Sequence, residues 1–221
     1  MISFDKTTQS GICYFPPPFV SFQKVEKHEE IKKQLTPQIE DHLEKNSDII
    51  KNEWVCDVIS SFHFGENEFL FQNELLIEAI WNAYNSCLDG LICDNWIPET
   101  TDLRSTTLVD MWYNIYKPGG NQEIHTHKPF EFSGIYILDD TEINNTLFWY
   151  EANMFPSGLN SYMCSNNPSY SDTTFGEVGE GYIVIFPGSL PHYVPTVKNR
   201  KTSISFNFEC NDTCNTHGGD E

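Results

Sequence analysis

From Thr106 onward the chain breaks into short runs rich in β-branched and aromatic residues, TTLVDMWYNIY, FSGIYIL, TLFWYEA, GYIVIFP and TSISFNF, separated by clusters of Gly, Pro and Asn. That texture reads as the strands of an antiparallel barrel or sandwich. The last run constrains the fold most, because its alternation is strict. Extended from Lys201, it puts Lys201, Ser203, Ser205 and Asn207 on one side and Thr202, Ile204, Phe206 and Phe208 on the other. A polar stripe thus backs onto an apolar one. A lysine on an inner stripe needs an anionic partner, since a buried ammonium without a counter-charge is costly. On an edge strand the same lysine would simply face water.

The first hundred residues alternate loop and helix. CYFPPPFVSF is an extended lead-in, and VEKHEEIKKQLTPQIEDHLEKN is predicted as helix with a break at Pro37. In NEFLFQNELLIEAIWNAYNSCLDGL, residues Leu76, Ile80, Ala83, Tyr84 and Cys87 recur at helical spacing, and Gly90 is placed to end the helix. With 221 residues, 39% of them hydrophobic, one core is expected. The predicted single domain has a support region at 1–104, a β core at 105–209 and a tail at 210–221. The long polar loop at 152–180 is of the kind that serves as a lid or binding element.

Thirteen basic against 32 acidic side chains give a formal charge of −19, which repels a nucleic-acid backbone and an anionic membrane surface alike. No run of about 18 apolar residues appears, and the N-terminus lacks the basic-then-apolar order of a secretory signal. Seven scattered cysteines are expected to be reduced thiols. Together these predict a soluble, cytoplasmic protein. The tail CNDTCNTHGG reads as a loose end and not as a zinc site, for want of a fourth ligand.

Three histidines stand out. His125 and His127 lie at i and i+2, so in an extended segment they point the same way, about 7 Å apart, close enough to share one metal ion. His192 follows the apolar run GYIVIFP between two prolines, where a loop histidine is placed to reach a barrel mouth. Trp112, Asn114 and Tyr116 alternate on one face of the strand leading to His125, and Tyr136 follows in the next strand. Their polar groups are candidates to orient a ligand, with barrel packing the plainer role for Trp112.

This order of motifs resembles the 2-oxoglutarate- and iron(II)-dependent dioxygenases with the double-stranded β-helix fold. WYNIYKPGGNQEIHTH is similar to that family's aromatic strand, glycine turn and H-x-[DE]. GEGYIVIFPGSLPHYVPTVKNRKTSISFN is similar to its closing FPS, H-x-V-x-P and R-x-S-x-x-F-N segments. FPPPF at 15–19, with H-x-H replacing H-x-D, resembles a bacterial and viral subgroup. The resemblance implies a mostly β, jelly-roll or cupin-like barrel braced by N-terminal helices (α+β). It further implies Fe(II) bound by His125, His127 and His192, and 2-oxoglutarate as co-substrate. The ligand set would then have a third imidazole where a carboxylate is usual, unless Glu131 or Glu123 completes it instead. The distal carboxylate of 2-oxoglutarate falls to Lys201, helped by Ser203, with Asn114, Tyr116 and Tyr136 nearby and Arg200 as fallback. Lysine replaces the subgroup's arginine, as in prolyl hydroxylases, and gives up the bidentate fork. The implied activity is hydroxylation of a C–H bond of a peptide side chain or small molecule, consuming dioxygen and releasing succinate and CO2, in a protein that can be a homodimer. Two other readings stand beside it. One is a cupin-type metal enzyme or small-ligand binder using His125, His127, Glu131 and His192, and the other is a catalytically inert β-sandwich.

Overall fold

The structure, a computed structural model, describes residues 19–46, 56–65, 67–93, 106–142, 147–148 and 178–210. Most of the proline segment at 15–19, the loop at 152–180 up to residue 177, and the tail after Cys210 lie outside the described residues.

In chain order the elements are β1 (Ser21–Lys24), α1 (His28–Lys45), β2 (Ile59–Ser60), a 3₁₀ turn (Ser61–His63), α2 (Glu68–Phe71), α3 (Glu74–Cys93), β3 (Thr106–Tyr116), β4 (Gln122–His125), β5 (Phe132–Asp139), β6 (Leu147–Phe148), β7 (Tyr182–Pro187), β8 (His192–Val194) and β9 (Lys201–Cys210). Helix α3 starts where Asn73 Oδ1 accepts a hydrogen bond from the Leu76 N–H at 2.9 Å. All five of its periodic residues are buried. It runs through Gly90 to Cys93, so the end expected at Gly90 is corrected. Helix α1 likewise runs unbroken through Pro37. Pro37 lies on the exposed side together with Lys33, so the carbonyl that loses its partner there faces water. Ile31, Leu35 and Ile39 pin both halves to the core.

The strands form two antiparallel sheets, a six-stranded one in the order β1-β7-β5-β9-β3-β2 and a three-stranded one in the order β4-β8-β6. This fits a jelly-roll-like fold. Among the described residues no strand pairing joins the two sheets.

Helices α1 and α3 cover the outer face of the large sheet. The core there joins Ile31, Leu35, Ile80 and Tyr84 to Met111, Tyr113, Ile115, Ile204, Phe206 and Phe208. Tyr84 stacks on Phe208 with centroids 4.3 Å apart, and each fully buried Phe contributes about 1.5–3 kcal/mol. Gly134 sits opposite Phe206 in the register, and a Cβ there would lie 2.3 Å from that ring. The inner face carries the predicted stripe, with Lys201, Ser203, Ser205 and Asn207 all buried. Its partners in the β3 register are Tyr116, Asn114, Trp112 and Asp110, in that order. No helix among the described residues is long and apolar enough to cross a membrane, and the described cysteines Cys56, Cys87, Cys93 and Cys210 are free thiols.

Candidate metal centre

The two sheets meet over three imidazoles. His125 closes β4 and His192 opens β8, directly opposite each other in the register. His127 lies two residues beyond β4, in the following loop and not on the strand, where its N–H donates to the Gly188 carbonyl at 2.8 Å. That bond ties the loop after β4 to the turn after β7. Ring centroids are 4.3 Å apart for His125 and His192, 4.9 Å for His127 and His192, and 5.4 Å for His125 and His127. One nitrogen from each ring lies within 4.8 Å of the others. His192 is 1% exposed and belongs to a strand, so the expectation of a loop residue is corrected. The β4 pairing and the Phe186 ring, 4.6 Å away, enclose it.

Hydrogen bonds fix the rings' tautomers. His125 Nδ1 donates to the Glu123 carbonyl at 2.8 Å, and His192 Nδ1 to the Leu190 carbonyl at 3.0 Å. His127 Nδ1 donates to Asn207 Oδ1 at 2.9 Å. Each acceptor is a carbonyl oxygen, so each ring carries its proton on Nδ1 and leaves the Nε2 lone pair for a metal. Burial pushes all three imidazoles down from the usual histidine range. His127 lies at about 4, with His125 adding to the effect, and His192 is well below its ordinary value, with both neighbours adding. They are therefore neutral at neutral pH, the form that binds metal.

This donor set fits a divalent transition metal such as iron. Among the described residues no carboxylate joins the group. Glu131 accepts from the Cys210 N–H at 3.0 Å, and Glu123 takes part through its backbone carbonyl and a hydrogen bond to Cys56.

Lys201 is fully buried on the inner face, and its anionic partner is internal. Its Nζ lies 3.5 Å from Asp140 Oδ2 and 5.8 Å from the centre of the Tyr116 ring. Burial lowers the Lys201 pKa to about 8 while Asp140 pulls it back up, and burial raises the Asp140 carboxyl against the pull of Lys201. Tyr116 donates to Gln122 Oε1 at 2.5 Å and is bonded by Ser203. Asn114 Nδ2 donates to Ser205 Oγ at 3.0 Å, while its buried Oδ1 makes no hydrogen bond among the described residues. Arg200 is on the opposite face and pairs with Glu40 of α1. Trp112 packs between Phe62 and His127, at 5.3 and 5.4 Å.

Tyr136 corrects the sequence reading. Its side chain is on the helical face, where its hydroxyl meets His28 Nδ1 at 2.7 Å. Ser133, Ile135 and Ile137 supply the inner face of β5 instead. Two further contributors escape sequence reasoning. Asn207 falls on the inner stripe, but nothing local marks its bond to a histidine. Asp140 sits past a register shift between Ile137 and Asp139, where strand alternation no longer tells which way a residue points.

A jelly-roll-like, two-sheet scaffold thus carries three neutral imidazoles that could hold a metal ion, with a buried ammonium on the inner face of the larger sheet. Residues 110–209 match the family described as "Putative 2OG-Fe(II) oxygenase". Over these residues the chain is similar to the 2-oxoglutarate- and Fe(II)-dependent oxygenases, a family whose metal is Fe(II) and whose co-substrate is 2-oxoglutarate. Among solved structures, it is similar to a prolyl-4-hydroxylase from Pseudomonas putida, with 13% identity, TM-score 0.48, and coverage of 87% of this chain and 92% of the other. It is also similar to AviO1 from Streptomyces viridochromogenes Tue57, with 10% identity, TM-score 0.48, and coverage of 86% and 89%. An oxidoreductase of the 2OG-Fe(II) oxygenase family from Burkholderia pseudomallei matches with 13% identity, TM-score 0.35, and coverage of 51% and 48%. No curated protein matches the chain.

Proposed function

We propose that the protein holds Fe(II) between His125, His127 and His192 and hydroxylates a C–H bond of a peptide side chain or small molecule, with release of succinate and CO2. The convergence of three Nδ1-protonated, neutral imidazoles, with His127 and His192 buried and His125 partly so, carries this reading. When bound, iron and 2-oxoglutarate supply the dioxygen chemistry, and the protein supplies geometry and a dry lining.

Three uncharged ligands leave the full charge of a divalent ion uncompensated, which favours an anionic chelating co-substrate. On the same lining, Lys201 is the group suited to the distal carboxylate, with Ser203 and Tyr116 bracing it and Asn114 Oδ1 open to a donor. Asp140 already stands against Lys201, so a dicarboxylate would share the ammonium with it or displace it. Trp112 and Phe186 wall the histidines with apolar surface that keeps water out.

Protein purified without an affinity tag should take up one divalent ion per chain, and in air with Fe(II) it should convert 2-oxoglutarate to succinate. Failure to take up metal would remove the histidine assignment. Metal uptake without any binding of 2-oxoglutarate would remove the oxygenase assignment and leave a metal-binding jelly roll.

A further inference from the structure

The third imidazole is held differently from the other two. His125 and His192 donate to backbone carbonyls, which only accept, so the chain itself dictates their tautomers. His127 donates to a side-chain amide. An amide can offer either end. Turned by half a rotation, Asn207 would present Nδ2–H to the same ring atom, the ring proton would move to Nε2, and the lone pair facing the metal would be lost.

Asp110, behind Asn207, settles the choice. Asp110 and Asn207 are partners in the register of β3 and β9, just past the irregularity between Leu108 and Asp110. Asn207 Nδ2 donates to Asp110 Oδ2 at 3.3 Å, while Oδ1 accepts from both Ser133 Oγ at 2.8 Å and His127 Nδ1 at 2.9 Å. The turned amide would set its oxygen against the Asp110 carboxylate. Ser133 cannot decide by itself, because a hydroxyl donates or accepts as required.

We infer that Asp110 is a positioning residue that acts through Asn207 to hold His127 with its proton on Nδ1 and its lone pair toward the metal. This rests on the histidine reading proposed above. The same chain places a carboxylate two hydrogen bonds behind the imidazole, which polarises the ring as a directly bonded carboxylate does for other metal-bound histidines. A ligand set without a carboxylate thereby gains a negative charge at one remove.

The test is long-range ¹H–¹⁵N correlation of the histidine rings in metal-free protein, paired with Co(II) titration followed by its visible absorption. In the wild type, all three rings should be protonated on Nδ1. In Asp110→Asn the neighbouring amide can donate to a turned Asn207, so His127 alone should show protonation on Nε2, and the Co(II) dissociation constant should rise about tenfold. His125 and His192 should keep their tautomers, which general loosening of the fold would not spare. A wild-type His127 protonated on Nε2 would overturn the inference without any variant. So would an Asp110→Asn protein with unchanged His127 signals and Co(II) affinity within about twofold of wild type. If the wild type binds no Co(II), the histidine reading fails, and the spectra of the metal-free protein still judge Asp110.

Discussion

His125 and His192 face each other across the β4–β8 pairing with ring centroids 4.3 Å apart, although they come from distant parts of the chain. Their Nδ1 atoms are tied to backbone carbonyls, so both rings hold their aim without metal. His192→Ala should therefore abolish metal uptake and succinate formation and leave the far-ultraviolet circular dichroism unchanged. Metal analysis and a coupled succinate assay measure this; unchanged turnover would contradict it.

Lys201 has its ammonium on the inner lining, and nothing else of positive charge points there from β9. Lys201→Ala should raise the 2-oxoglutarate requirement on the order of 10- to 100-fold, the value of a hydrogen bond to a charged group, while Co(II) binding stays within a few-fold. Equal loss of both would make Lys201 a structural residue.

The same residue predicts a pH dependence. Burial holds Lys201 at about pKa 8, so its charged form is complete well below that pH and is lost as pH rises through it. The apparent dissociation constant of 2-oxoglutarate should be level below about pH 8 and climb about tenfold per unit well above it. Calorimetric titrations at a series of pH values check this, with Lys201→Ala as the variant that shows no such climb.

Lys201 and Asp140 are 1% and 3% exposed in their side chains and stand 3.5 Å apart, so removing the carboxylate takes a close counter-charge from a buried ammonium. Asp140→Ala should cost roughly 3 kcal/mol in urea unfolding, less if Lys201 gives up its proton. Added 2-oxoglutarate should then raise the melting temperature of Asp140→Ala more than that of the wild type, because it restores a counter-charge. An equal or smaller rise would place the co-substrate carboxylate elsewhere.

Several features are legible in the sequence for definite physical reasons. In β9 every second residue changes character, so the strand has only one way to face its core, and its inner stripe can be read off directly. Helix α3 is equally plain, since Leu76, Ile80, Ala83, Tyr84 and Cys87 leave one face to bury. In β5 the run FSGIYILD is apolar on both sides, because helices cover one face and the inner lining the other. Alternation there carries no sign, and Tyr136 lies on the opposite face from the one expected. Local chemistry at Pro37 favours a break, but buried Ile31, Leu35 and Ile39 hold the helix through it.

By itself the sequence determined which residue types were available to the site: a pair of histidines, a third one after an apolar strand, and a lysine heading a two-faced strand. Only the tertiary structure decided what those groups meet. Registers between distant strands put His125 beside His192, Asp110 behind Asn207, and Asp140 against Lys201. Side-chain periodicity is a local property of extended backbone, whereas partners across a sheet, and those beyond a register shift, depend on how the whole chain packs.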